Sequence, residues 1–539
     1  MKTQARKDTK KKSATVRYPE LLKKHEITPM AIILSGVLAA LFGYICYLNL
    51  SLTPSFYCTD MYSDILYAVK AWEAKSLFPE GWVFGNQLYV IATPVLASLV
   101  YGIVGKPALA MAIATILMTL GIFLSYLWML KPVFPGLADR LVGLICFIAL
   151  TAYCGDAIYK VKGWQLFFTL CSYYACYLIT AFLCFGCFLR RREKPTVPMM
   201  ILFGLSVVLS FGAGMQSLRQ TAVMLVPMLA VEGIQQIMSL IRTKKVEWQP
   251  LVVTGSLSAA NLLGLAAVKL LDVPRNEIFS SAELLEKAEI PEAVNKSLTT
   301  LMSLLTDKEH YGYLFLMAVV ILILAIVQAK YRKENAPAGW GTLISLFALS
   351  VLGILAIDMY TKMSIRNIYY FMLLPLVGLL PVYAYRSWRL GKVLALLLLT
   401  MLVVGAFKNA ILPATETAKK ADTNASYAIS DMLVEKGYTT IYSGWNQCED
   451  IAIASEGRIT AGFWNSSKDV FRPVMYLCDP SIYGVDPSEC VYYLRKDNKD
   501  IALKKAADKG VTMTLVAEYP KWGIWLYEAS ENLMTPDSD

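Results

Sequence analysis

Long apolar runs alternate with short basic connectors along most of this chain, and that alternation narrows what it can fold into. A helix of about 20 apolar residues crosses a hydrocarbon core of about 30 Å, and inside lipid it must satisfy its own backbone polar groups. Eleven such spans are expected, at roughly 28–50, 107–130, 141–154, 164–189, 198–213, 221–240, 249–271, 312–329, 340–358, 367–385 and 392–408. The chain is 56% hydrophobic and 17% charged over 539 residues, too apolar for a water-soluble protein of this length. The expected fold class is therefore a polytopic α-helical membrane protein.

Charge between the runs sets the orientation. The net charge of +10 is clustered, with a large share in "MKTQARKDTKKKSATVRYPELLKK". Such a tail could suit nucleic acid, but beside a membrane span it reads as a cytoplasmic anchor over residues 1–27, with no nucleic-acid partner. The run Thr28–Leu50 is too long for a signal-peptide core and has no clear small-residue cleavage site, so it reads as uncleaved. The stretch Asn86–Gly105 is apolar enough to span. If it does, "KPVFPGLADR", "LRRREKPTV", "IRTKKVEW", "KYRKEN" and "RSWRLGK" all fall outside; if it does not, all fall inside, where basic loops belong. It is thus expected to lie along the outer face, within one large external loop, residues 51–106. The same parity places outside Gly155–Gly163, Gly214–Gln220, Asp272–Tyr311, Asp358–Arg366 and the polar C-terminal part. The expected localisation is the plasma membrane, multi-pass, with the N-terminus cytoplasmic and the C-terminal domain extracytoplasmic.

That C-terminal part, residues 409–539, changes character. "NASYAISDMLVEKGYTTIYSGW" reads as a helix, a Gly stop and a β-run, and "GVTMTLVAEYPKWGIWLYEA" as two strands around a Pro-Lys-Trp-Gly turn. A small external α/β domain is expected, following the membrane domain over residues 28–408. Of the eleven cysteines, Cys58, Cys448, Cys478 and Cys490 lie outside the apolar runs, and none has zinc-finger spacing. In an oxidising compartment Cys478 and Cys490 could pair, although sequence fixes no pairing. The two histidines, His25 and His310, make a His-based triad or His-rich metal site improbable. No Walker loop, dinucleotide fingerprint, H-E-x-x-H or G-x-S-x-G occurs.

The polar groups facing outward remain. Asp60 and Asp64 are four residues apart in "CTDMYSDILYAVKAW", so a helix puts them on one face, where a carboxylate can serve as a general base. Glu73 and Glu80 read as solvated. Asp156 follows a span of only 14 strongly apolar residues, so it sits where the outer end of that helix is recessed, near Lys160 and Lys162. Arg219 and Arg366 stand at outer helix ends against the inside bias, with Gln216, Gln220, Tyr369 and Tyr370 nearby; guanidinium groups so placed suit phosphate oxygens.

These features resemble the GT-C superfamily of polyprenyl-phosphate-sugar-dependent membrane glycosyltransferases, in particular the bacterial relatives of protein O-mannosyltransferases and lipid A aminoarabinose transferases. In that family an acidic motif opens the first external loop; here the match is "TDMYSDILYA". The family's adjacent Asp-Glu pair is absent. Alignment on Tyr67-Ala68 puts Ser63-Asp64 in its place, with Asp60 one turn earlier, which leaves open which aspartate is the base. "FPEGWVFGNQLYVIATPVLASLVYGIVGK" is similar to the family's turn and Pro-bearing juxtamembrane helix, and "SIRNIYYFMLLPLV" to its Arg-bearing helix start.

The resemblance implies an inverting glycosyltransferase that moves a sugar from a polyprenyl-phosphate donor to a cell-surface glycan, lipid or protein acceptor. Asp64 or Asp60 would be the base. Arg219, Arg366, Lys160 and Lys162 would bind donor phosphate, and Asp156 would orient the acceptor or assist a divalent metal. No obligatory metal is expected. A non-catalytic alternative, a lipid-linked glycan translocase or an envelope assembly factor, would need no base in the first loop.

Overall fold

The computed structural model describes residues 28–51, 54–85, 87–152, 164–274, 285–306, 320, 323, 337–360, 368–387, 389–408, 412, 425–465 and 469–535. The helices of the membrane part are α1 (Pro29–Ser51), α2 (Thr59–Glu73), α3 (Thr93–Val104), α4 (Pro107–Leu130), α5 (Leu137–Thr151), α6 (Ala175–Arg190), α7 (Val197–Gln216), α8 (Leu218–Thr243), α9 (Trp248–Ala267), α10 (Ile290–Thr306), α11 (Trp340–Tyr360), α12 (Ile368–Ser387) and α13 (Arg389–Ala406). Among the described residues seven helices are long and apolar enough to cross a membrane: α1, α4, α7, α8, α9, α11 and α13. The chain is a multi-pass membrane protein. The expected span 312–329 lies outside the described residues, apart from positions 320 and 323.

Two shorter helices have specific consequences. α3 has 12 residues, about 18 Å of helix, well short of the hydrocarbon core. It stops at Gly105, whose φ of 69° is a left-handed cap, and turns Leu99 and Ile103 outward as exposed apolar groups. That is the form of a helix lying along a membrane. α5 has 15 residues and is buried almost all round, so it is a core helix that packs on α12 and α13 rather than facing lipid.

The expected span 164–189 is not continuous. One helical turn, Trp164–Phe167, is followed by irregular backbone before α6 begins at Ala175. Such a break is tolerated at membrane depth only where neighbours satisfy the freed backbone groups. Here Asn49 of α1 donates to the Phe168 carbonyl (2.9 Å) and accepts from the Leu170 N–H (3.0 Å), while Thr115 of α4 donates to the Leu170 carbonyl. α8 carries a π-helical turn over Thr221–Leu225, just before Pro227, which has no N–H to continue the regular ladder. α7 and α9 approach backbone to backbone: a Cβ added to Gly214 would lie 2.0 Å from the Asn261 carbonyl oxygen, and one added to Gly264 2.0 Å from that of Phe211.

Among the described residues, the basic connectors around Arg140, Arg192, Lys244 and Arg386 gather at one end of the bundle. Arg192 pairs with Glu247 (2.5 Å), Gln249 donates to the Glu193 carbonyl (2.8 Å), and Arg386 to that of Val133 (3.2 Å). Just inside this end Arg191 and Glu232 form a fully buried ion pair (2.5 Å).

The C-terminal α/β domain contains α14 (Ala425–Glu435), β1 (Thr440–Gly444), α15 (Glu449–Ala454), β2 (Thr460–Trp464), β3 (Cys490–Arg495), α16 (Lys499–Asp508), β4 (Met513–Tyr519) and β5 (Ile524–Ala529). Its sheet order is β2-β1-β3-β5-β4; β1 is parallel to β2 and β3, and the β3–β5 and β5–β4 pairs are antiparallel. The Gly stop after α14 is Gly437 (φ 87°), and the turn between β4 and β5 closes on Gly523 (φ 65°). Cys478 and Cys490 are separate buried free thiols, so the bridge that sequence allowed is not formed.

Candidate active site

α2 is buried on nearly every side, since Met61, Tyr62, Ser63, Asp64, Ile65, Tyr67, Ala68 and Ala71 are all covered. Asp60 and Asp64 are therefore desolvated. Asp64 is 1% exposed, and its Oδ1 accepts a hydrogen bond from the Tyr89 hydroxyl at 2.5 Å. Tyr89 is held in turn by the ring of Tyr67, edge-on at 4.9 Å, in an aromatic cluster with Trp82 and Phe84. Asp60, one turn earlier, is half-buried and has no carboxylate hydrogen bond among the described residues.

The two environments separate the two acids. Burial alone pushes Asp60 up to about 6. Burial pushes Asp64 up to about 8; the Tyr89 hydrogen bond opposes that rise, and the charge of Asp60 adds to it. The pair gives up its protons in two steps and holds one proton near neutrality. An ionised carboxylate with no hydrogen bond among the described residues then stands beside a neutral, hydrogen-bonded one, an arrangement that can abstract a proton. Glu73 and Glu80 are exposed.

The break before α6 closes this site. The Cys171 thiol reaches the Met61 carbonyl at 3.7 Å, and Cys171 and Tyr173 both lie within electrostatic range of the two carboxyls. The Tyr173 hydroxyl is buried with no partner among the described residues. Nothing in the sequence marked Tyr89, Cys171 or Tyr173. They come to α2 from distant segments, and each looks like ordinary apolar-run composition.

Arg219 lies at the start of α8, partly exposed, with its charge felt by Tyr174 and Tyr177. Its neighbours Gln216 and Gln220 prove to be occupied. Gln216 Oε1 accepts from the N–H groups of Val90 (3.2 Å) and Ile91 (3.0 Å), and Gln220 donates to the Tyr177 carbonyl (3.2 Å). Tyr177 donates from its hydroxyl to Gln87. These contacts dock the Gln87–Ile91 segment, which carries Tyr89, onto the α7–α8 corner. They are braces rather than free anion ligands. Asp156, Lys160, Lys162 and Arg366 lie outside the described residues. Among the described residues no three His, Cys, Asp or Glu side chains gather closely enough to hold a metal ion.

The C-terminal domain covers the other flank of α2. The Tyr62 hydroxyl accepts from the Ala461 N–H (2.8 Å), its ring meets Phe463 edge-on, and Lys70 pairs with Asp479 (3.0 Å). Glu449 is buried at this junction, and burial followed by the charge of Asp450 pushes it up to about 8. A cavity between α2, the α3–α4 corner and this domain is lined by Tyr62, Ile65, Val69, Tyr101 and Ile459, and neither aspartate lines it.

No protein-family model and no curated protein matches the sequence. Solved structures that match the fold include two of ArnT. ArnT from Cupriavidus metallidurans in the apo state superimposes with a TM-score of 0.51 at 11% identity, covering 94% of this chain and 98% of that one. ArnT bound to undecaprenyl phosphate gives 0.51 at 10% identity, covering 92% and 98%. At these identities the likeness is one of fold.

Proposed function

On a fold that is that of the GT-C membrane glycosyltransferases, we propose that this protein transfers a sugar from a polyprenyl-phosphate donor to a hydroxyl acceptor at the outer face of the membrane, with inversion. The observation that carries the proposal is the Asp60–Asp64 pair. Two desolvated carboxyls on one helical face are tuned apart, one hydrogen-bonded and one with no hydrogen bond among the described residues. A translocase has no need of such a pair.

Asp60 is the base in this reading. It takes the proton of the acceptor hydroxyl, whose oxygen attacks the anomeric carbon from the face opposite the phosphate. The bond from that carbon to the phosphate oxygen breaks, and polyprenyl phosphate leaves with an added negative charge. Arg219 meets that charge, together with Arg366, Lys160 and Lys162 on the strength of the sequence. Asp64, neutral near pH 7, lets Asp60 ionise without a like charge beside it. Asp156 orients the acceptor, which is a cell-surface glycan, lipid or protein. The basic end of the bundle faces the cytoplasm and the C-terminal domain lies outside.

The test is release of undecaprenyl phosphate by the purified protein in lipid nanodiscs, across a panel of undecaprenyl-phosphate sugars and hydroxyl acceptors. Turnover with at least one donor is expected. Full turnover by an Asp60→Asn, Asp64→Asn double variant would remove the proposed base.

A further inference from the structure

The N-terminus of α2 is buried yet poorly capped by its own segment. A helix leaves its first N–H groups without internal partners, and Ser, Thr, Asp or Asn at the N-cap usually supplies an acceptor. Here the N-cap is Cys58, whose thiol sulfur is a weak acceptor: the N–H groups of Asp60 and Met61 act on it, but no bond of capping geometry forms. Thr59 is nonetheless fully buried. Its N–H is met by a residue 387 positions away: Asn446 Oδ1 accepts from the Thr59 N–H at 2.9 Å, and the Asn446 N–H donates to Thr59 Oγ1 at 2.9 Å.

Asn446 is fitted for this. It follows β1 with a φ of 60°, a left-handed conformation that Asn tolerates better than most residues. Its neighbours anchor it within the C-terminal domain: the Trp445 N–H donates to the Trp464 carbonyl (2.9 Å), and Gln447 accepts from Asn498 (3.0 Å). Asn446 itself is largely exposed, so its side chain fills no core. The first turn that it closes carries Asp60.

We propose that Asn446 is a positioning residue: from the C-terminal domain of the same chain it supplies the capping acceptor for the first N–H of α2 and thereby holds Asp60 in its working place. The proposal rests on the reading of Asp60 as the base. It gives the external domain a part in the reaction without contact to substrate.

The experiment uses the full-length protein in nanodiscs. Asn446→Gly removes the acceptor and keeps both the left-handed backbone and its N–H. Amide hydrogen exchange over Thr59–Ser63 is expected to quicken roughly two- to thirty-fold, the equivalent of a lost cap, and kcat to fall by a similar factor while the donor KM stays within about twofold. Adding Cys58→Ser, which places a stronger acceptor at the N–H groups of Asp60 and Met61, should recover part of both protection and kcat. Unchanged exchange in Asn446→Gly overturns the inference, as does a loss of kcat that Cys58→Ser leaves in place. Full turnover in Asp60→Asn overturns the underlying assignment of the base, and is distinguished because the exchange difference persists.

Discussion

Replacing Asp64 by Asn separates the two aspartates by role. Asparagine is nearly isosteric with a protonated aspartate and can still accept from Tyr89. At pH 7 a carboxyl that titrates at about 6 is roughly nine-tenths ionised, whereas one at about 8 is roughly one-tenth ionised. If Asp60 is the base, Asp64→Asn only fixes the state that Asp64 already occupies, and kcat/KM at pH 7 stays within about threefold of wild type. The same change at Asp60 removes the base and costs roughly 10²–10⁴ in kcat. The sign of the pH dependence follows from the base having to be ionised. Wild-type kcat/KM rises as pH passes upward through about 6 and levels off above it. A small inflection near 8, from Asp64 ionising beside Asp60, disappears in Asp64→Asn. The assay is initial-rate release of undecaprenyl phosphate between pH 5 and pH 9, with the ranges taken to bracket both steps. An acid limb near 8 in wild type, with Asp64→Asn inactive and Asp60→Asn active, would refute the reasoning and make Asp64 the base.

Other outcomes follow from the same geometry. Tyr89→Phe leaves the Asp64 carboxyl without its hydrogen bond, so the upper inflection moves further upward and thermal unfolding in detergent shows a loss of about 1–3 kcal/mol. Arg219→Ala raises the donor KM at least tenfold in the same assay, and Arg219→Lys recovers only part of it because a lysine lacks the forked donor pair. Gly264→Ala drives a methyl into the Phe211 carbonyl and costs about 1–3 kcal/mol by thermal melting, whereas Gly255→Ala, with open space around it, is neutral. Arg191→Met strands the buried Glu232 charge and costs about 3–5 kcal/mol, much of it regained when Glu232→Leu is added.

The membrane helices were legible because a span is a local property: length, apolarity and flanking charge all sit within one segment. The same holds for α14, β1, β4 and β5, whose period and glycine stops are written next to each other. The break before α6 was not legible, because what permits it is Asn49 on α1 and Thr115 on α4, far from the break in sequence. Asp60 and Asp64 could be picked out by spacing, but their inequality could not. That depends on Tyr89, 25 residues from Asp64, and on how deeply each carboxyl is buried once α2 is enclosed. Gln216 and Gln220 shared a neighbourhood with Arg219 in sequence and suggested an anion site; in the fold Gln216 Oε1 and Gln220 Nε2 already serve the backbone of other segments.

The Thr59–Asn446 pair also bears on the order in which the molecule is made. Its partners are 387 residues apart, and at about 5–20 residues per second the ribosome needs roughly 20–80 seconds to go from one to the other. Throughout that interval α1 to α13 can enter the membrane while the start of α2 waits with an open end. The first turn of α2 is therefore closed only after a segment 387 residues downstream has been made. On the proposed mechanism, a chain cut short before Asn446 is expected to hold its membrane helices without a finished site.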